Sequence, residues 1–191
     1  MRTTAAQKAE THDRIVEAAA RLFRQHGIDA VGVDAVMRAA GLTHGGFYGH
    51  FASKEALVGE VAAAALARSA ARWEAAAGSG DGRAALDAVV GGYLDPAHVA
   101  QAERGCVLAT IGPEVARRPE HRAPLCDSVR RMTDVLESLL PPQADGTPDR
   151  DRARAALATM VGAVVLARLA DDPAEAAATL QAAREAVLEG T

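Results

Sequence analysis

Gly41 constrains this chain more than any other single residue. It lies in the stretch VDAVMRAAGLTHGGFYGHFASKEALVG, from Val33 to Gly59. Two short helical patterns flank Ala40-Gly41-Leu42, and a third begins after Ser53. A helix must stop and turn at Gly41, because glycine enters the left-handed region without a Cβ penalty. Thr43 offers a hydroxyl to cap the helix that follows. Two short helices set steeply across a tight, glycine-containing turn form a helix-turn-helix. The second helix of such a pair can lie in the major groove of DNA.

The rest of the chain predicts an all-α fold of about nine helices. Its 191 residues can bury a sizeable core. Alanine is abundant, Gly and Pro sit mostly at interruptions, and β-branched alternation is nearly absent. Ile15, Ala18, Ala19, Leu22 and Phe23 make one apolar stripe in a first helix opened by Thr11 and closed by Gly27. A second helix follows Gly32 and turns Val33, Val36, Met37 and Ala40 inward. A third runs from Thr43 to Phe51, anchored by Phe47 and Phe51. Ser53 caps a long fourth helix carrying Leu57, Val61, Ala65 and Trp73.

Downstream, the polar break at 78–82 separates the fourth helix from one running from Arg83 to Tyr93, with Asp95-Pro96 as a turn. The spacing predicts a helix over 104–116, strained at Gly112-Pro113, and another over 119–140. Thr147-Pro148-Asp149 reads as cap, first-position proline and acidic first turn of a helix reaching Leu169. Asp172-Pro173 starts the last one. The helix over 148–169 is apolar on most of its circumference and requires cover from more than one neighbour. A two-fold bundle with the 173–189 helix of each of two copies would supply it.

Charge is a weak guide. The net −4 divides into seven basic against six acidic residues up to Glu55, and fourteen against nineteen after it. The sign suits an N-terminal part that meets phosphates, but the excess is a single charge. Met1–Ala9 is polar, with no secretory leader, and the longest apolar stretch is too broken to span a membrane, so a cytoplasmic address is expected. Cys106 and Cys126 form neither a disulfide framework nor a metal site. No catalytic constellation, cofactor motif or metal-ligand spacing stands out, so the chain reads as a non-enzyme.

By Lys54 the residues have become specific. Arg14-Ile15, Ala18, Leu22-Phe23 and Gly27 are followed by Val36 and Ala40-Gly41-Leu42-Thr43, and then by Phe47-Tyr48-Gly49-His50-Phe51, Ser53-Lys54-Glu55 and Leu57. Over roughly residues 11–60 this set resembles the DNA-binding domain of the TetR family of one-component transcriptional regulators. The remainder is similar only in length, helicity and the pattern Gly105-Cys106…Glu114. The resemblance implies a three-helix head (1–53) and a ligand-binding, dimerising body (54–191) that pairs through its last two helices. It further implies a homodimer, most often a repressor, released from a palindromic operator by a small-molecule effector.

Carried over onto this sequence, the family pattern makes Tyr48, His50 and Lys54 phosphate contacts, and Thr43 can add a donor from the helix start. Tyr48 has core filler as its alternative, and His50 a neutral surface position. Base-edge contact falls to His44, Gly45, Gly46 and Gly49, with Arg38 either a further contact or part of a solvated helix face. Gly46 and Gly49 depart from the family, which carries side chains there, as does Met37, where a small residue is usual. Three glycines imply sparse direct readout and reliance on phosphates and DNA shape. Trp73, Tyr93, Cys106, Met132 and Met160 are candidate effector-lining residues, each also explicable as core. Two alternatives stay open. One is an architectural or protein-interaction role reusing the fold. The other is a thiol sensor built on Cys106 beside Arg104, against the plainer reading of a buried apolar cysteine.

Overall fold

The computed structural model describes residues 4–78 and 81–190, and among these it contains nine α-helices and no strand. Ser79 and Gly80, at the centre of the expected 78–82 break, lie outside the described residues, as do Met1–Thr3 and Thr191.

Helix α1 (Ala5–His26) begins earlier than its apolar stripe suggests. Thr4 caps it in a reciprocal box with Gln7, so the helix gains nearly two polar turns before Thr11. Gly27, with φ 82°, ends it. Helix α2 (Val33–Ala39) closes as expected. Gly41 takes φ 71°, its N–H donates to the Arg38 carbonyl, and the Leu42 N–H reaches the Met37 carbonyl at 2.8 Å. This pair of bonds is the Schellman arrangement. The Arg14 guanidinium adds a bond to the Ala40 carbonyl, so α1 clamps the turn from outside.

The third element differs from expectation. His44–Gly49 forms a 3₁₀ turn instead of an α-helix over 43–51, and the Thr43 hydroxyl makes no capping bond. Three glycines in six residues carry too little helix propensity to hold a full α-turn, and a short 3₁₀ piece tolerates that. Phe47 and Phe51 still anchor it, at 0% and 4% exposure.

Helix α3 (Lys54–Ala77) is the long spar. Ser53 Oγ accepts from the Ala56 N–H, and Leu57, Val61, Ala65 and Leu66 are buried along its inner face. It packs on α1 at one end, and on α4 (Gly82–Tyr93) and α7 (Arg122–Leu139) farther along. Helix α8 (Arg150–Leu169) lies between α7 and α9 (Pro173–Glu185), and α9 runs on into a single wide π-turn, Ala186–Gly190.

Two expectations fail in this body. No continuous helix covers 104–116. Instead, a short α5 (Pro96–Ala100), a 3₁₀ turn (Ala102–Arg104) and a loop lead to α6 (Gly112–Ala116), which Pro113 opens rather than breaks. The backbone of α5 and of the loop has a different partner: the Arg168 guanidinium on α8 donates to the carbonyls of His98, Val99 and Ala109. Nor does Thr147 cap α8. The Asp145 carboxylate engages both its hydroxyl and its N–H, and Asp149 caps the helix by accepting from the Arg152 N–H.

Candidate functional site

The head presents one exposed polar edge, from the α2 turn to the start of α3. Thr43, His44, Gly45, Gly46, Tyr48 and Gly49 are all exposed along it, and so is Arg38 on α2. Tyr48 is 66% exposed. Its ring stands edge-on to Phe47 at 5.3 Å, so the buried face is Phe47's and the hydroxyl points away from the core. The core-filler alternative for Tyr48 is therefore excluded. His44 Nδ1 is held by the Asp34 carboxylate at 2.5 Å, which leaves its other ring nitrogen to meet a partner.

His50 is half-buried, and its Nδ1 is turned inward with no hydrogen-bond partner. Burial, then His12 and Lys8 nearby, hold its imidazole below the usual histidine value. The free head therefore favours the neutral ring, and His50 can offer a phosphate a hydrogen bond. Lys54 is the first residue of α3 and has no carboxylate within ion-pair distance among the described residues. It stands at the helix start, so its ammonium and the helix's free N–H groups would both favour an anion there.

The glycines are not there for strain or space. None of Gly45, Gly46 and Gly49 has positive φ. A Cβ at Gly45 or Gly49 would meet nothing within 4 Å, and one at Gly46 only the Met37 Cε at 3.5 Å. Met37 thus fills the space beneath the turn. Gly45→Ala and Gly49→Ala are each expected to stabilise the fold by about 0.5–1 kcal/mol. If the glycines serve close backbone approach to DNA, the same variants weaken DNA binding. Urea melts and gel-shift titrations on the two proteins read these opposite signs directly, and a variant improved in both would remove the close-approach explanation.

A cavity of about 460 Å³ opens between α3, α4, α5 and the loop at 101–106. Trp73, Tyr93 and Cys106 line it, whereas Met132 and Met160 are fully buried core residues away from it. The long unbranched methionines packed the helix interfaces instead, a role their sequence spacing could not separate from a pocket wall. Trp73 and Tyr93 meet edge to face at 5.6 Å. The Tyr93 hydroxyl is buried without a hydrogen-bond partner, and burial, with Cys106 next to it, raises its pKa well above the usual phenol range.

His98, Arg72, Arg104 and Ser69 also line the cavity, and of these the sequence singles out only Arg104, as the neighbour of Cys106. A sign was available for one: Ser69 stands one helical turn before Trp73 on α3, hence on the same face. His98 sits where only a turn was expected. Its Nε2 accepts from the Cys106 N–H at 2.8 Å, so Nδ1 carries the proton and donates to the Tyr93 carbonyl at 2.6 Å. Burial lowers its pKa, in keeping with that neutral tautomer. At Gly105 a Cβ would lie 2.8 Å from Arg168 and 2.9 Å from His98, so this wall closes only around glycine. Cys106 itself is 5% exposed and packs as an apolar wall residue.

Residues 15–61 match the family model described as bacterial regulatory proteins, tetR family. The HTH-type transcriptional regulator AcrR of Shigella flexneri is 37% identical over 60 residues, which cover 31% of this chain and 28% of that protein. The sequence match therefore spans well under half of this curated relative. The fold match is longer. A TetR-family transcriptional regulator from Streptomyces coelicolor, SCO4454, superposes with a TM-score of 0.76 at 26% identity, over 95% of both chains. The head thus matches the TetR family over residues 15–61, and the chain as a whole shares the fold of TetR-family regulators. A TetR-family regulator from Agrobacterium tumefaciens shares the fold at a TM-score of 0.79 and 23% identity, covering 95% of this chain and 97% of that one. Sequence likeness is thus concentrated in the head, while the body keeps the TetR fold with residues of its own. Neither the architectural role nor the thiol sensor gains support from these likenesses. Among the described residues no helix is long and apolar enough to cross a membrane.

Proposed function

We propose that this protein is a homodimeric, ligand-responsive repressor, with a DNA-binding head over 1–53 and an effector-binding, dimerising body over 54–191. One observation carries the reading: α3 joins both candidate sites. Lys54 stands at its head end, and Ser69, Arg72 and Trp73 line the cavity 15 to 19 residues farther on. At 1.5 Å per residue, Lys54 and Trp73 lie about 28 Å apart on one rigid rod. A ligand that moves the cavity end moves the DNA end with it, which links the two occupancies.

The contacts proposed for DNA are phosphate contacts from Thr43, Tyr48, His50 and Lys54. Base edges would be met by His44 and the backbone at Gly45 and Gly46, with Arg38 beside them. Dimerisation through α8 and α9 draws support from the surface. Val165, Leu166 and Leu169 are 37%, 60% and 74% exposed, and with Tyr48 they are the large exposed apolar side chains among the described residues. The exposed alanines Ala174, Ala177, Ala178 and Ala182 continue that surface on α9. A second copy placed there would set two heads on successive major grooves, about 34–36 Å apart.

Footprinting on the DNA flanking the gene tests the reading. A palindromic protected site with half-sites about one helical turn apart is expected, while protection without a palindrome would favour an architectural role. Lys54→Ala should weaken binding to every sequence alike and lower the salt slope by roughly one unit. Loss confined to one base pair would contradict its assignment to phosphate. Sedimentation as a monomer at micromolar concentration would remove the dimer.

A further inference from the structure

We infer that the effector is an amphiphilic organic anion: a carboxylic acid whose apolar body lies against Trp73 and Tyr93 and whose acid group is held by Arg72 and Arg104. This deepens the proposed function and rests on its reading of the cavity as the effector site.

The wall chemistry is two-sided. Trp73, Val89, Tyr93 and Cys106 are buried and form an apolar floor. Arg72 and Arg104 are exposed cavity-lining residues, so their guanidinium groups stand at the mouth. Among the described residues Asp95 is the one carboxylate on the lining, and its Oδ1 already accepts the Ala97 N–H at 2.7 Å to cap α5. The two arginines belong to a larger positive group. Arg24 on α1 and Arg68 on α3 line an adjoining groove, and Arg104 borders both spaces.

None of these four arginines has a carboxylate within ion-pair distance among the described residues. The hydrogen bonds they make leave the charge uncompensated. Arg72 donates to the Ser69 hydroxyl at 3.1 Å, and Arg24 Nε donates to the Glu103 carbonyl at 2.8 Å. Burial, and then the neighbouring charges of Arg68 and Arg72, lower the Arg24 pKa. Glu103 and, across the groove, Asp13 and Glu17 offset part of this field without pairing to it. In a chain of net −4, a concentration of cations beside an apolar cavity is a recognition feature for an anion with an apolar tail. A guanidinium pair also matches a carboxylate in geometry, which a neutral or cationic ligand would waste.

The same arrangement shows how occupancy reaches the DNA end. The 102–104 turn packs on α1, tied there by Arg24 and Glu103, and α1 clamps the helix-turn-helix through Arg14. An acid group that draws Arg72 and Arg104 together pulls that turn relative to α1.

Trp73 is the single tryptophan of the chain, so its emission reports the cavity without a label. Titrations with octanoate, octan-1-ol and octylamine, and with 3-phenylpropanoate and 3-phenylpropan-1-ol, separate charge from tail. Both acids are expected to bind at least about tenfold more tightly than their alcohols, the measure of a charge-assisted hydrogen bond. Octylamine should bind more weakly than either. In the double variant R72Q/R104Q the acids should fall to the affinity of the alcohols, while alcohol affinity stays unchanged and shows that the cavity is intact. Equal binding of acid and alcohol, preference for the amine, no binding by any of the five, or equal loss of acid and alcohol in the variant would each overturn the proposal. Footprinting on the same preparation keeps the two readings apart. A protein that protects a palindrome but ignores the acids refutes only the ligand class. One that binds the acids but no palindrome refutes the regulator.

Discussion

Phe47→Ala is expected to lower stability by about 3–5 kcal/mol and to abolish specific DNA binding. Phe47 has no exposed surface, stacks on Phe51 at 5.6 Å and supports the Tyr48 ring. The segment it anchors has little structure of its own, since His44–Gly49 holds three glycines and forms only a 3₁₀ turn. Tertiary packing has to do what helix propensity does not. Removing the ring leaves a cavity under the turn and frees the edge that carries His44, Tyr48 and the glycines. Urea denaturation gives the stability, and a gel-shift titration gives the binding. Phe47→Leu keeps most of the volume and should cost less than about 1.5 kcal/mol. If Phe47→Ala lost less than 1 kcal/mol, the turn would be held by something other than this side chain.

Arg168→Met is expected to have the second largest effect, a loss of several kcal/mol together with a red shift of Trp73 emission. Methionine preserves the apolar stem and removes only the donors. The carbonyls of His98, Val99 and Ala109 then lose their common partner, at about 1–3 kcal/mol for each that stays out of water. The wall from His98 to Cys106 has no continuous helix to fall back on, so the cavity should loosen as the melting temperature drops. Lysine cannot replace the fork, because a single ammonium does not reach three carbonyls in one plane, and Arg168→Lys should recover only part of the loss. An unchanged melting point and emission spectrum would mean that the wall holds without Arg168.

These two residues also mark the boundary of what is legible in the chain. Phe47 could be assigned to the core from its i, i+4 partner Phe51, and the head could be outlined from Gly27, Gly41 and Ser53. Each of those signals acts within a few residues: a positive φ that glycine accepts, a hydroxyl in reach of an N–H three positions on, an apolar stripe at helical spacing. A local signal misleads where a neighbour outcompetes it. Asp145 took the Thr147 hydroxyl, and three glycines turned an α-helix into a 3₁₀ turn. As aromatic or soft side chains Trp73, Tyr93 and Cys106 do share a cavity, while Met132 and Met160, soft on the same ground, are core.

Sequence by itself determined the all-α class, the helix-turn-helix and the apolar excess on the 148–169 helix, because caps, turns and periodicity are properties of neighbours in the chain. Only the tertiary structure decided the cavity beside α3. Its wall depends on Arg168 reaching back 59 to 70 residues to seize three carbonyls. Its charge depends on Arg24, Arg68, Arg72 and Arg104 meeting from two helices and a turn. Contacts over such distances follow from how the helices pack, and no spacing along the chain encodes them.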